Sequence, residues 1–152
     1  MDNFRLSNAP TSAKLLVTAL LCTIGLIYIT LLVHIWIDTQ MKPSLVAEAY
    51  GGMEYIELTD HAHKYLPYYS VYLFALPIIM FMFTSYPEKL KRFFAIFPFL
   101  VIVADIGSMY LIPYLWRGFA YVLWLAGTFL ALTFLSLFVL NLYDIWLRKA
   151  TR

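Results

Sequence analysis

Four long apolar runs constrain the fold of this chain more than any other feature. They cover residues 15–37, 66–84, 93–116 and 119–147, and their lengths range from 19 to 29 residues. A helix needs about 20 residues to cross a bilayer, at about 1.5 Å per residue. Because backbone groups in lipid must be hydrogen-bonded within their own segment, helices are the expected form. The pattern predicts an all-α, integral membrane four-helix bundle formed by a single domain, residues 1–152.

The composition also indicates that lipid surrounds much of the surface. Of the 152 residues, 62% are apolar and 13% are charged, and the mean hydropathy is +0.76. Soluble domains are about 25% charged, and a chain of this size has too little interior to bury the excess of apolar side chains. These values exclude an ordinary soluble enzyme, a nucleic-acid-binding protein and a disordered tail. The single cysteine, Cys22, excludes a disulfide framework and a cysteine-based zinc site.

The distribution of Lys and Arg predicts the orientation of the bundle. With four spans, the two terminal tails and the middle loop share one side and carry eight of these residues, whereas the first and third loops carry three. Basic residues favour the cytoplasmic side, so both termini are predicted to be cytoplasmic. The outer loop, residues 38–65, is long enough for structure of its own. Within it, residues 44–50 are predicted to form a short interfacial helix that stops at Gly51 and Gly52.

All three histidines are predicted to lie near the outer face. His34 is three residues inside the end of the first run, and His61 and His63 precede the second run. Imidazole is a common ligand of membrane haem b, copper, zinc and iron. Two helices that each present a histidine would hold haem b or a transition metal between them. The alternative is that the three residues are interfacial side chains bonded to loop carboxylates and tyrosines.

The spacing of His61 and His63 separates two binding modes. On a helix, residues i and i+2 point about 200° apart, so the two rings cannot bind one ion together. In extended backbone they would share a face. Pro67 cannot donate a hydrogen bond to the carbonyl of His63, and the helix is expected to be disturbed there. The spacing favours one inward-facing ligand that acts with His34, and one histidine that faces the outer loop.

Asp105 lies near the middle of the third run. A charged residue at the bilayer centre costs about 2.5–3.5 kcal/mol on insertion scales and is a functional candidate by default. We expect it to be either an uncharged hydrogen-bond donor that fixes the bundle or part of a proton or quinol site. Other polar side chains predicted at matching depth are Tyr28, Tyr72 and Thr128.

Several other residues are given roles by their spacing. Tyr65, Tyr68 and Tyr72 follow His61 on one helical stripe, and Tyr68 and Tyr72 are predicted to form the wall of a cofactor site. Two small residues, Gly107 and Gly127, are expected to let the third and fourth helices approach closely. A surface ion pair without a functional role is expected for Asp144 and Arg148.

Four segments resemble a family of small bacterial four-helix membrane proteins. They are AYGG at residues 49–52, ELTDHAH at 57–63, PEKLK at 87–91 and DIGS at 105–108. The likeness covers residues 47–108, and Tyr110 departs from it, where a Trp-rich stretch is expected. The resemblance implies a multi-pass protein of the bacterial cytoplasmic membrane that partners other membrane subunits or respiratory c-type cytochromes. It also implies importance for His61, His63 and Asp105, but it supplies no reaction.

The leading prediction is therefore a non-catalytic membrane subunit of a respiratory electron-transfer assembly. In it, haem b or a metal is held near the outer face by His34 and by His61 or His63. The sequence has no hydrolase nucleophile motif, zinc-protease motif or P-loop, and the chain is not predicted to be an enzyme by itself. One alternative is a cofactor-free structural subunit that docks onto a larger complex. Another is a small transporter or channel that oligomerises around Asp105.

Overall fold

The computed structural model describes residues 5–148, and this part of the chain is helical without strands. A short 3₁₀ turn, Leu6–Asn8, precedes six helices: α1 (Thr11–Thr39), α2 (Pro43–Gly51), α3 (Tyr55–Pro67), α4 (Leu76–Met82), α5 (Glu88–Tyr114) and α6 (Phe119–Trp146). A π-helical segment, Tyr68–Ala75, joins α3 to α4 without a break. Within this part, four helices are long and apolar enough to cross a membrane, namely α1, the continuous helix Tyr55–Met82, α5 and α6. The all-α membrane four-helix bundle is confirmed.

The helices extend beyond the apolar runs at several ends. The second membrane helix begins at Tyr55, because Glu54 and Glu57 form a capping box. The Glu54 side chain accepts the backbone N–H of Glu57, and the Glu57 side chain accepts the backbone N–H of Glu54. The predicted outer loop is therefore mostly helical, and α2 lies where the interfacial helix is expected. Apolar content marks the part of a helix suited to lipid, whereas caps determine where the helix begins.

Pro67 disturbs its helix as the sequence predicts. The α-helical pattern of α3 ends at this residue, and the π-helical pattern starts at Tyr68. Proline lacks the N–H that an α-helix needs, and a π-helix bonds residues five apart instead of four. The residues after Pro67 are thus rotated relative to an uninterrupted α-helix, which changes which tyrosines face the interior.

The core of the bundle is apolar and its outer surface is apolar as well. Phe74, Phe81 and Leu137 are fully buried at the centre of the main cluster. On the outside, every membrane helix exposes large apolar side chains, such as Leu26, Ile79 and Val103. Exposed apolar surface on all sides is typical of helices that contact lipid tails. The bundle is built to sit in a bilayer.

The end of the bundle that carries the termini contains a buried acid. The side chain of Asp144 is 0% exposed, its Oδ1 accepts the backbone N–H of Ser85 at 3.0 Å, and a guanidinium nitrogen of Arg148 lies 3.6 Å away. The expectation of a surface ion pair was wrong, because the turn between α4 and α5 folds over the carboxylate. Asp144 connects this turn to α6.

Candidate functional site

A cavity of about 300 Å³ lies between the helices at the end of the bundle where α2 sits. We call it the loop-end cavity. Its walls come from α1, α2, α3, the π-helical segment, α5 and α6, so most of the chain contributes. Apolar and aromatic side chains form most of the lining. The polar side chains that reach it are Tyr28, His34, Asp38, Thr39, Tyr50, His61, Tyr65, Tyr69, Asp105, Trp124 and Thr128.

His61 lines this cavity in a defined orientation. Its Nδ1 lies 2.9 Å from the carbonyl oxygen of Glu57, one turn earlier on α3. Because a carbonyl only accepts hydrogen bonds, Nδ1 carries the proton in this contact and Nε2 of the neutral ring is left as an acceptor or ligand. The ring packs against Tyr50 and Tyr65, with centroid separations of 6.2 and 5.9 Å. His61 is therefore held by backbone and aromatic contacts.

The other two histidines differ from His61 in position. His34 also lines the cavity, and its Nε2 lies 3.4 Å from Asp38 at the exposed end of α1. His63 is exposed and is not among the residues that line the cavity. His61 and His63 thus point in different directions, as i and i+2 residues on a helix must. Among the described residues, no group of three or more His, Cys, Asp or Glu side chains is arranged to hold a metal ion.

The tyrosines that reach the cavity are not the pair predicted from the stripe. Tyr65 and Tyr69 line it, followed by Phe74, whereas Tyr68 and Tyr72 are absent from the described lining. Tyr68 instead donates its hydroxyl to the carbonyl of Ile27 at 3.2 Å. The π-helical segment explains this difference. In it, residues five apart, such as Tyr69 and Phe74, lie on the same face of the helix. Beyond Pro67, α-helical spacing therefore does not predict which side chains face the cavity.

Asp105 lies at the inner part of the same cavity and is 6% exposed. Its carboxyl makes no direct hydrogen bond to another residue in the described part of the chain. Tyr28 and Thr128, two of the residues predicted at its depth, line the cavity with it. A buried carboxyl without a protein partner is costly, and this one opens into a space that a ligand can fill.

Gly127 widens the cavity. A Cβ atom built on this residue would meet nothing within 4 Å, and Gly127 is part of the cavity wall. Gly107 also has open space around it but is exposed on the outside of α5. Neither glycine is in close contact with another helix, so the expectation of tight helix approach at these positions was wrong. The absence of a side chain at position 127 contributes cavity volume instead.

The amphipathic helix α2 closes the cavity from the loop side. Val46 is buried, and Tyr50 reaches the cavity and packs on His61. Burial raises the pKa of Tyr50 above its ordinary value, so its hydroxyl remains a neutral donor and acceptor. Opposite α2, the indole N–H of Trp124 donates to the carbonyl of Met41 at 2.8 Å. These contacts hold the connection between α1 and α2 against α6.

The charges around the cavity restrict the ligand. The described lining contains the carboxyls of Asp38 and Asp105 and no Lys or Arg. An anionic group would therefore meet carboxyls without a balancing cation. A cavity of this size is at the lower end of small-molecule sites, which are about 300–1,000 Å³ and mostly apolar with a few placed polar groups. The lining suits a flat, uncharged, amphipathic molecule.

Comparison with known proteins gives the family. The model of the Aq_1264_TM family, a transmembrane helical domain, matches residues 40–152. The chain belongs to this family. The Aq_1264_TM match includes His61, Asp105 and Gly127, whereas His34 on α1 lies before it. No curated protein and no solved structure matches the chain. The protein is a multi-pass membrane protein that contacts the lipid bilayer.

Proposed function

We propose that this protein binds a quinol in the loop-end cavity, as a membrane subunit of an electron-transfer assembly. The observation that carries the proposal is a cavity that combines aromatic walls, no Lys or Arg in the described lining, and, among its polar side chains, the acceptors His61 and Asp105. A quinol head is flat and uncharged and has two hydroxyl groups that need acceptors. The acceptor nitrogen of His61 and the carboxyl of Asp105 meet that need. The resemblance to membrane partners of c-type cytochromes supports the assembly.

In this proposal each group has a distinct task. Tyr65, Tyr69 and Phe74 form the aromatic wall against which a ring packs. Nε2 of His61 accepts a hydrogen bond from one hydroxyl, while its Nδ1–H keeps donating to the carbonyl of Glu57. Asp105 accepts the other hydroxyl and, as an ionisable group, is able to take its proton. The chain binds and orients the ligand, and the proposed orientation puts the cavity on the outer side of a bacterial cytoplasmic membrane.

The test is ligand binding by the purified full chain in detergent micelles, with decylubiquinol as the probe. Trp124 lines the cavity, so its fluorescence should be quenched with a saturable dependence on probe concentration. We expect Gly127→Leu to raise the apparent Kd by about tenfold or more, because the new side chain occupies the binding space. Gly107→Leu makes the same change on the exposed side of α5 and should bind as the parent does.

Two results would contradict this expectation. Quenching that rises linearly without saturation would indicate that the probe partitions into the micelle. Equal affinity of the Gly127→Leu and Gly107→Leu variants would mean that the ligand does not enter the loop-end cavity. Either result would remove the support for a quinol site.

A haem b or metal site is the second candidate, and it is favoured by one observation. His34 and His61 line the same cavity although they lie on different helices, and Nε2 of His61 is left as a possible ligand atom. A metal-bound histidine commonly donates its other N–H to a backbone carbonyl, as the contact of His61 with Glu57 would do. These two side chains are the ones that would hold such a group.

An absorption spectrum of the protein reconstituted with haem distinguishes the two candidates. If haem b is bound, a reduced α-band should appear and should be lost in His34→Ala and in His61→Ala. His63→Ala should keep the band, because His63 is exposed and points away from the cavity. If all three variants give the parent spectrum, the haem candidate is rejected.

A further inference from the structure

A second cavity, of about 360 Å³, lies at the opposite end of the bundle, and we call it the termini-end pocket. It is lined by residues 82–86 at the end of α4 and the following turn, by Lys91 on α5, and by Arg5 before the first turn. Both of its charged residues are cations, and no acidic residue belongs to the described lining. Its charge is thus opposite in sign to that of the loop-end cavity.

Arg5 is held at this pocket by contacts of the residues that follow it. The backbone N–H of Leu6 donates to the carbonyl of Phe83 at 2.9 Å. The hydroxyls of Ser7 and Ser85 are 3.3 Å apart and form a hydrogen bond. Leu6 is buried in a small cluster with Leu21 and Ile145. The segment that contains Leu6 and Ser7 is therefore anchored to the turn between α4 and α5, and this places Arg5 at the edge of the pocket.

Lys91 is fixed from the other side. Its ammonium donates to the carbonyls of Met82 and Thr84, at 2.7 and 2.8 Å, and these are carbonyls at the end of α4. An ammonium has three N–H donors, so these contacts leave one donor for a further acceptor. Both acceptors are backbone carbonyls, so the ammonium position is fixed by the main chain at the end of α4. A cation is therefore built into the floor of the pocket.

The neighbouring acid, Asp144, is fully buried and does not line this pocket. Asp144 already accepts the N–H of Ser85 and faces Arg148, whose guanidinium also stacks over the ring of Tyr86 at 4.9 Å. The remaining polar lining consists of side-chain hydroxyls and backbone groups of residues 84–86. The Thr84 hydroxyl donates to the carbonyl of Phe81, which leaves those of Ser85 and Tyr86 in the lining. Two cations beside these hydroxyls suit an anion with several acceptor oxygens.

We propose that the termini-end pocket binds a phosphate group, carried by the headgroup of an acidic phospholipid or supplied as free phosphate. Basic pockets between transmembrane helices on the cytoplasmic side bind anionic headgroups. Six of the nine Lys and Arg residues that the structure describes lie at this end of the bundle, which is the end predicted to be cytoplasmic. The pocket is independent of the proposed quinol site, since the two cavities share no lining residue.

The experiment measures the melting temperature of the full chain in uncharged detergent micelles at constant ionic strength. Phosphatidylglycerol, phosphatidylcholine and inorganic phosphate are titrated separately, since a ligand that binds only the folded protein raises its melting temperature. Arg5→Gln removes one pocket cation. Lys89→Gln is the matched control, because it removes the same charge from an exposed residue of α5 that does not line the pocket.

We expect a saturable rise with phosphatidylglycerol in the parent and in Lys89→Gln, and an apparent Kd about tenfold higher in Arg5→Gln. Phosphatidylcholine, whose choline cation offsets its phosphate, should act much more weakly. A matching rise with inorganic phosphate identifies free phosphate as sufficient, and a rise with the lipid alone identifies the headgroup. The proposal is overturned if neither ligand gives a saturable rise, or if Lys89→Gln weakens binding as much as Arg5→Gln.

Discussion

Replacing Asp105 with Leu should weaken decylubiquinol binding by about tenfold to a hundredfold while leaving the ligand-free protein at least as stable. A hydrogen bond to an ionisable group contributes about 1.5–3 kcal/mol, which corresponds to that range of Kd. The carboxyl makes no hydrogen bond to another described residue, so Leu removes a costly buried polar group without leaving a protein partner unsatisfied. Fluorescence titration and thermal unfolding of the same preparations give both quantities.

The stability measurement separates the two roles that the sequence left open for Asp105. If the carboxyl fixes the bundle, Asp105→Leu should lower the stability by about 1–3 kcal/mol and Asp105→Asn should not. If it serves a ligand, only binding should suffer, with Asn in between because its amide keeps part of the hydrogen bonding. Val103→Leu provides the control, since Val103 lies on the same helix and is 67% exposed toward the lipid. A destabilised Leu variant with normal binding would contradict the ligand role.

The second large effect is expected for Asp144→Ala, which should lower the free energy of unfolding. Asp144→Ala leaves the backbone N–H of Ser85 without its acceptor and Arg148 without its carboxylate partner, so that Arg148 keeps only its contact with the Tyr86 ring. The loss should be about 1.5–3 kcal/mol, the range for a hydrogen bond to a charged group. Asp144→Asn should lose less, because the amide oxygen is still able to accept the N–H of Ser85. Equilibrium unfolding by a denaturing detergent in mixed micelles measures these differences.

Glu88→Ala is the matched control for this effect. Glu88 and Arg92 form an i,i+4 pair at 3.4 Å in which both side chains are mostly exposed. Exposed pairs of this kind contribute about 0.3–0.5 kcal/mol, so the control should change stability little. If Asp144→Ala costs no more than Glu88→Ala, the buried carboxylate does not connect the turn to α6 as the structure indicates.

The sequence predicts the fold well because the fold depends on local composition. Each membrane helix contains an apolar run long enough to span the bilayer, and Pro67 marks the point where the second helix changes its hydrogen bonding. Helix ends are predicted less well, because the capping box of Glu54 and Glu57 adds helix outside the apolar run. The cytoplasmic position of the termini remains a prediction from the distribution of Lys and Arg.

The arrangement of the cavity could be predicted only in part. Periodicity on one helix separates His61 from His63. The apolar run around Asp105 marks it as a candidate, and its role stays a prediction. Periodicity does not indicate that Tyr50 of α2 reaches His61, because that contact depends on how a loop helix packs on the bundle. It also wrongly predicts a close helix contact at Gly127 and an exposed carboxyl at Asp144, since the space beside a residue is determined by other parts of the chain.

The π-helical segment makes the position of the site depend on one residue of chain length. An α-helix turns about 100° per residue, so deleting a single residue within Tyr68–Ala75 would rotate α3 relative to α4 by about that angle. His61 and Tyr65 would then turn away from Asp105, although every apolar run would keep its composition. A one-residue insertion or deletion there would therefore rearrange the loop-end cavity, and membrane-span prediction would report the two forms as identical.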